Sequence, residues 1–163
     1  MGMIGSYLRT SEETVKKIQQ GEMELWDLLN DDSYDEYIID IDKTWHAIHF
    51  TLTGEVLTGG GSEFDDLVLG ENYLTDSEKE EFPTSLINPK RVKELAVALD
   101  NLTEQDFKEK FSMKEMLENE IYPLFVEEDE DEFFEYVNYH FTELKKFMKK
   151  ASDEGQAVIF YIS

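Results

Sequence analysis

The last third of the chain carries the tightest constraint on the fold. A helical stripe running from about Asp129 to Ala151 is followed, after a turn at Gly155, by Ala157-Val158-Ile159-Phe160-Tyr161-Ile162. Phe133, Val137, His140, Phe141, Leu144, Met148 and Ala151 recur at helical spacing, which predicts one core-facing side of a long helix. His140 within that stripe reads as a core side chain. The final run is rich in β-branched and aromatic residues and predicts a strand. Met3 to Arg9 predicts a second strand at the other end of the chain. Together these features predict an α+β (mixed α/β) fold, with a small central sheet that includes the N- and C-terminal strands and is packed by several helices.

Glu127-Glu128-Asp129-Glu130-Asp131-Glu132 stands at the start of the long helix, and Lys145, Lys146, Lys149 and Lys150 stand towards its end. Both clusters complement the helix macrodipole, so the acidic run is expected to be a helix start. A calcium loop would need a Gly at its sixth position and a Glu at its twelfth, and no Gly follows here.

Between the ends, Thr10 with Glu13 predicts the capped start of a helix ending at Gly21, and a shorter helix is expected over Glu22 to Leu29. A central helix is expected from Asp40 or Asp42 to Thr53, with Gly54 as its cap. The stretch from Gly54 to Ser62 holds four glycines and predicts a loop, with Gly59 to Ser62 a candidate lid or a solvent-exposed connector; Leu67-Val68-Leu69 predicts a short buried strand. Glu71 to Ile87, with the charges of Asp76 to Glu81 and the turn residue Pro83, reads as irregular. Asn88-Pro89 opens a helix with Val92, Leu95, Ala96 and Leu99 inward, and Thr103 with Asp106 and Ser112 with Glu115 cap two more before Tyr122-Pro123 interrupts.

At 163 residues, with 40% hydrophobic and 13% aromatic residues, the chain has enough apolar material for one core, so residues 1–163 are expected to form a single soluble domain despite a net charge of -23. The absence of cysteine excludes disulfides, zinc thiolate sites and a cysteine nucleophile. The charge also disfavours nucleic-acid backbones and anionic membranes, and favours a basic protein partner. No apolar run reaches the roughly 20 residues of a spanning helix, and the first residues lack the pattern of a secretory signal, so a cytoplasmic location is expected. Met1-Gly2 with Ser6 fits the loose myristoylation pattern, but the acidic surface opposes membrane anchoring.

The densest chemistry lies between Asp40 and Gly54, which holds two of the three histidines. As one helix it would carry Ile41, Trp45, Ile48 and Leu52 on a core stripe, with Asp42, His46, His49 and Thr53 beside it. Asp42 and His46 are four apart, so the carboxylate is positioned to orient the imidazole and raise its pKa. His46 and His49 are three apart, within reach of a shared proton relay, and Tyr122 is a candidate assistant. A zinc site is not expected, because the two-histidine helical signature uses spacing four with an adjacent Glu. No cofactor motif is present.

Met1-Gly2-Met3-Ile4-Gly5, Asp40-Ile41-Asp42-Lys43 with Trp45 and His49-Phe50, Leu52-Thr53-Gly54, Leu69-Gly70, Ile121-Tyr122-Pro123 and the long helix before a final strand together resemble the YfbM-like family, a bacterial domain of unknown function. The resemblance spans essentially the whole chain, with one departure: where a Trp is expected after Pro123, the chain reads Leu124-Phe125-Val126. It implies a bacterial, intracellular mixed α and β domain and brings no reaction, cofactor or catalytic residue with it.

Two functional expectations follow. The first is a non-enzymatic acidic protein that binds a basic partner, for example in an immunity-like role. The second is a small hydrolase or small-molecule-binding domain built on the His46 and His49 helix face, with Asp42 and Tyr122 as further candidates. A third feature, a pH response from an Asp42-His46 pair, depends on the two side chains meeting.

Overall fold

The ends of the chain pair with each other. In the computed structural model, which describes residues 2–70, 72–74, 84–124 and 129–163, β1 (Gly5–Thr10) lies antiparallel to β4 (Ala157–Ile162), from Gly5 opposite Ile162 to Thr10 opposite Ala157. Outside β1 sits β2 (Ile38–Asp40), and outside β4 sits β3 (Ser85–Ile87), giving an antiparallel sheet of order β2-β1-β4-β3. The fold is α+β, as the sequence predicts.

Side chains alternate across this sheet and feed two cores. On one face Leu8, Leu86 and Ile159 pack with Val15 and Ile18 of α1 (Glu12–Gln19) and Leu28 of α2 (Leu25–Leu29). On the other face Tyr7, Ile87, Val158 and Phe160 meet a larger core. That core is built from α3 (Trp45–Thr53), α4 (Pro89–Asp100), α5 (Glu104–Lys110), α6 (Met113–Glu118) and α7 (Glu130–Asp153). Cover on both faces explains why β1 is buried throughout and why β4 lacks an apolar and polar alternation. It also places Arg9, a charged residue, in a buried position. Its guanidinium meets Glu154 Oε2 at 2.7 Å and Gln156 Oε1 at 2.8 Å, and lies 4.6 Å from the centre of the Tyr37 ring.

Several predicted boundaries shift for identifiable reasons. Thr10 is the last residue of β1, so the cap of α1 falls to Ser11, whose Oγ accepts from the Thr14 N–H. The second helix begins at Leu25 rather than Glu22. Leu67 and Val68 are buried as expected but form no strand: the Leu67 N–H bonds the Phe64 carbonyl in a turn, and the Tyr7 hydroxyl donates to the Leu67 carbonyl at 2.7 Å. A short apolar run reports burial more reliably than conformation. Arg91 pins this turn to α4, bonding both carboxylate oxygens of Asp66 at 2.7 and 2.8 Å and also the Glu63 carbonyl. Part of the stretch read as irregular is ordered, since β3 lies inside it and Tyr73 bridges to Ser85; Asp76 to Glu81 and Pro83 lie outside the described residues.

The long helix starts where the acidic residues place it. Asp129 caps it by accepting from the Glu132 N–H at 3.0 Å, and Glu130, Asp131 and Glu132 form its first turn; Glu127 and Glu128 lie outside the described residues. Phe147 joins the buried stripe, whereas His140 sits half-buried at its margin, edge-on to Tyr136 and Tyr139. The expectation of a core His140 is corrected on that point.

Candidate functional site

Helix α3 starts later than the sequence predicts, and the delay rearranges the polar residues around it. Asp40 ends β2, Asp42 takes a left-handed φ of 50°, and Asp42–Thr44 forms a 3-10 turn before α3 begins at Trp45. Asp42 is therefore not one helical turn below His46. Its Oδ2 instead accepts from the Tyr136 hydroxyl at 2.6 Å, holding the turn against α7. Burial, and then this carboxylate, push the Tyr136 hydroxyl pKa upward. The expected Asp42-His46 pair does not form, and a pH response resting on it is withdrawn.

His46 is committed elsewhere. Its Nδ1 accepts from the Tyr122 backbone N–H at 3.1 Å, so in the neutral ring the proton sits on Nε2, which donates to the Val56 carbonyl at 3.0 Å. One imidazole thus joins the loop after α3 to the connection before α7. Burial pushes its pKa down, with the Val56 carbonyl acting in the opposite direction. Protonation at Nδ1 would set an N–H against the Tyr122 N–H.

His49, one turn on, is 1% exposed, and neither ring nitrogen has a hydrogen-bond partner among the described residues. Burial lowers its pKa, while the Leu57 backbone favours the protonated form without meeting hydrogen-bond geometry; His46 adds to the lowering, and Asp65 and Glu55 oppose it. His49 stays behind the wall that His46 lines.

Tyr122 and Trp45 complete that wall. Tyr122 Oη accepts from the Met3 N–H at 2.8 Å, and Trp45 Nε1 donates to the Met3 carbonyl at 2.9 Å, so the two rings clamp the backbone just before β1. Trp45 stacks on Tyr122 at 5.7 Å and on His46 at 5.2 Å. Gly5 makes room for the indole: a Cβ there would come within 3.0 Å of both Trp45 and Phe160.

These groups line a cavity of about 490 Å³, mostly apolar, whose other walls include Leu69, Tyr73, Ser85, Phe160 and Ile162. The structure brings His46 and Tyr122 together here, and leaves Asp42 and His49 off the lining. Leu57 and Thr58 reach the rim, but Gly59 to Ser62 do not line it. Trp45 was legible in the sequence only as a core residue. Met3, Tyr73 and Ser85 carried no sequence signal for a site, because β-pairing and side-chain packing bring them together. Among the described residues, no three His, Asp or Glu side chains gather in a way that could hold a metal ion, and no helix is long and apolar enough to cross a membrane.

Comparison with known proteins places this arrangement in a family. The chain is 32% identical over 148 residues to the protein YfbM of Escherichia coli strain K12, an alignment covering 82% of each. It superposes with a TM-score of 0.73 and 26% identity on a crystal structure titled as a protein of unknown function, YfbM from Escherichia coli, over 99% of this chain and 100% of that one. The family described as Domain of unknown function (DUF1877) matches residues 1–161, and the chain belongs to that family.

Proposed function

We propose that this protein is a binding protein and that its binding site is the cavity walled by Trp45, His46 and Tyr122. The observation that carries the reading is the double commitment of His46: an imidazole with one nitrogen accepting and the other donating holds the wall in place, and has no lone pair left to act as a general base. That favours small-molecule binding over a hydrolase built on the same helix face. A largely apolar cavity with a few convergent polar groups is the usual form of a ligand site. The test is a metabolite screen by thermal shift, with the Trp45 indole N–H and Tyr122 amide resonances followed by NMR. A ligand of this site raises Tm and moves both resonances in the parent, and does neither in Ser85→Leu, which fills the cavity. If no compound moves either resonance, the reading fails.

The net charge of -23 supports a second reading, in which the acidic surface also docks a basic protein, for example in an immunity-like role. Like charge opposes contact with nucleic-acid backbones and anionic membranes, and a bacterial cytoplasmic location is part of this proposal, supported by the likeness to an Escherichia coli protein. Affinity purification with mass spectrometry, on the parent and on the His46, His49 double variant, separates the two readings. Capture by surface charge persists in the double variant and falls as salt rises; capture equally strong at low and high salt rules out an electrostatic interface.

A further inference from the structure

We infer that a second cavity, at the end of the β1–β4 pair where Thr10 lies opposite Ala157, is a site for a polyhydroxylated compound, a sugar or a cyclitol. Met3 and Ile162, in the lining of the first cavity, lie at the other end of the same strand pair, and the second site stands independently of the first.

The base of this cavity is a charged group whose charge is already met. Arg9 is 5% exposed and still lines the cavity, whose volume of about 380 Å³ is within the usual range for small-molecule sites. Its Nη1 donates to Glu154 Oε2 at 2.7 Å and to Gln156 Oε1 at 2.8 Å, and its guanidinium lies over the Tyr37 ring. An oxyanion would have to displace a carboxylate that the fold itself supplies, against the field of a chain with a net charge of -23. A neutral guest can use the pair as it stands. Because Gln156 gives its oxygen to Arg9, its amide NH2 is left as a donor. Glu154 is an acceptor only, with more lone pairs than one arginine bond occupies. An acceptor and a donor thus flank a single nitrogen. That suits two neighbouring hydroxyls of one guest, the first donating to the carboxylate and the second accepting from the amide.

The walls carry the same preference. Thr10 at the end of β1, Ser11 and Thr14 at the start of α1, and Ser33 and Tyr34 in the 3-10 turn Asp32–Tyr37 all bring hydroxyls to the lining. A hydroxyl donates one bond, accepts two and rotates to suit its partner. A wall of them therefore complements a guest made of hydroxyls whichever way each one points. Local bonds position several of these groups before any ligand arrives. Asp31 Oδ1 accepts from both the Ser33 N–H and the Ser33 hydroxyl, and Ser11 Oγ accepts from the Thr14 N–H and donates to Thr14 Oγ1 at 3.0 Å. Tyr34 and Tyr37, with ring centres 6.1 Å apart, add apolar ring surface for the C–H groups of a saturated ring.

Methyl α-glucoside, myo-inositol, inorganic phosphate and cyclohexanol test this in the full chain at neutral pH. Each is titrated to about 50 mM, because neutral hydrogen bonds exchanged with water leave modest affinity. The Gln156 side-chain amide, the Arg9 Nε–H and the Trp45 indole N–H are followed by NMR. At least one of the two polyols should move the Gln156 and Arg9 resonances along a saturable curve, leave Trp45 in place, and bind about tenfold or more tightly than phosphate or cyclohexanol. Gln156→Ala, read at Arg9, and Tyr34→Phe should each weaken that polyol by about fivefold. Tyr34→Phe removes a hydroxyl without touching the Arg9 anchor, so it separates lost recognition from a loosened site. Phosphate or cyclohexanol binding as tightly would make the cavity one for oxyanions or for apolar rings, and the inferred class is then wrong. It is equally wrong if neither polyol moves the Gln156 and Arg9 resonances, if Trp45 shifts along with them, or if both variants bind like the parent.

Discussion

On α3, His46 has both ring nitrogens hydrogen-bonded and His49, one turn later, has neither bonded among the described residues, so the two imidazoles respond in opposite ways to substitution. A buried polar group without a partner costs more than an apolar group of similar size. His49→Leu is therefore expected to raise stability by about 1 kcal/mol in urea unfolding. Both histidines have pKa values lowered by burial, so the unfolded chain takes up their protons before the folded protein does. Their contribution is fully present above the unfolded value near 6.5 and is lost as pH falls from there through the lower folded values. The urea midpoint of the parent should drop between pH 7 and pH 5.5, and His49→Leu should flatten that drop. A midpoint unchanged across this range would show that the imidazoles are not held neutral by burial. The two histidines, Asp42 and Tyr122 were legible in the sequence as candidates. Their partners were not, because Val56, Tyr122 and Asp42 acquire theirs through contacts that no local spacing encodes.

At the level of elements, local signals placed capped helices well and buried loops poorly. Thr103 and Ser112 each cap the helix they were expected to cap, and Asp129 caps the long helix at its expected start, because an N-cap is a contact over three residues. Leu67 to Leu69 misled because an apolar run is needed wherever the chain crosses a core, with or without a ladder. What holds that turn is Arg91, with its two bonds to Asp66 and a third to the Glu63 carbonyl. Arg91→Met keeps the aliphatic stem and removes the fork. It should cost about 1 to 2 kcal/mol and speed amide exchange at Leu67, whose N–H closes the turn. Exchange at Leu67 as slow as in the parent would mean that the apolar anchors hold the turn without the ion pair. Helix α3 shows the same limit. The central-helix pattern was correct from Trp45 onward, but the left-handed Asp42 and the turn after it separate the acid from the histidine it was expected to orient.

For the whole molecule, charge and topology pull against each other. A net charge of -23 on a chain of 163 residues repels itself in the folded state, and the repulsion is screened within about 10 Å at 0.1 M salt. Tm should therefore rise on going from low salt to about 0.3 M sodium chloride; a falling Tm would show that surface ion pairs outweigh the repulsion. The sheet joins β1 to β4 from opposite ends of the chain and seats the cavity beside that junction, with Met3, Phe160 and Ile162 in its lining. By itself the sequence determined the fold class, the terminal strands, the long acid-capped helix and the exclusion of cysteine chemistry. All of these rest on composition or on contacts a few residues apart. Only the tertiary structure decided that Asp42 faces Tyr136, that His46 bridges Val56 and Tyr122, and that Ser85 and Tyr73 share a cavity with Trp45. These pairings depend on which strands lie side by side and on where one helix begins, and long-range packing sets both.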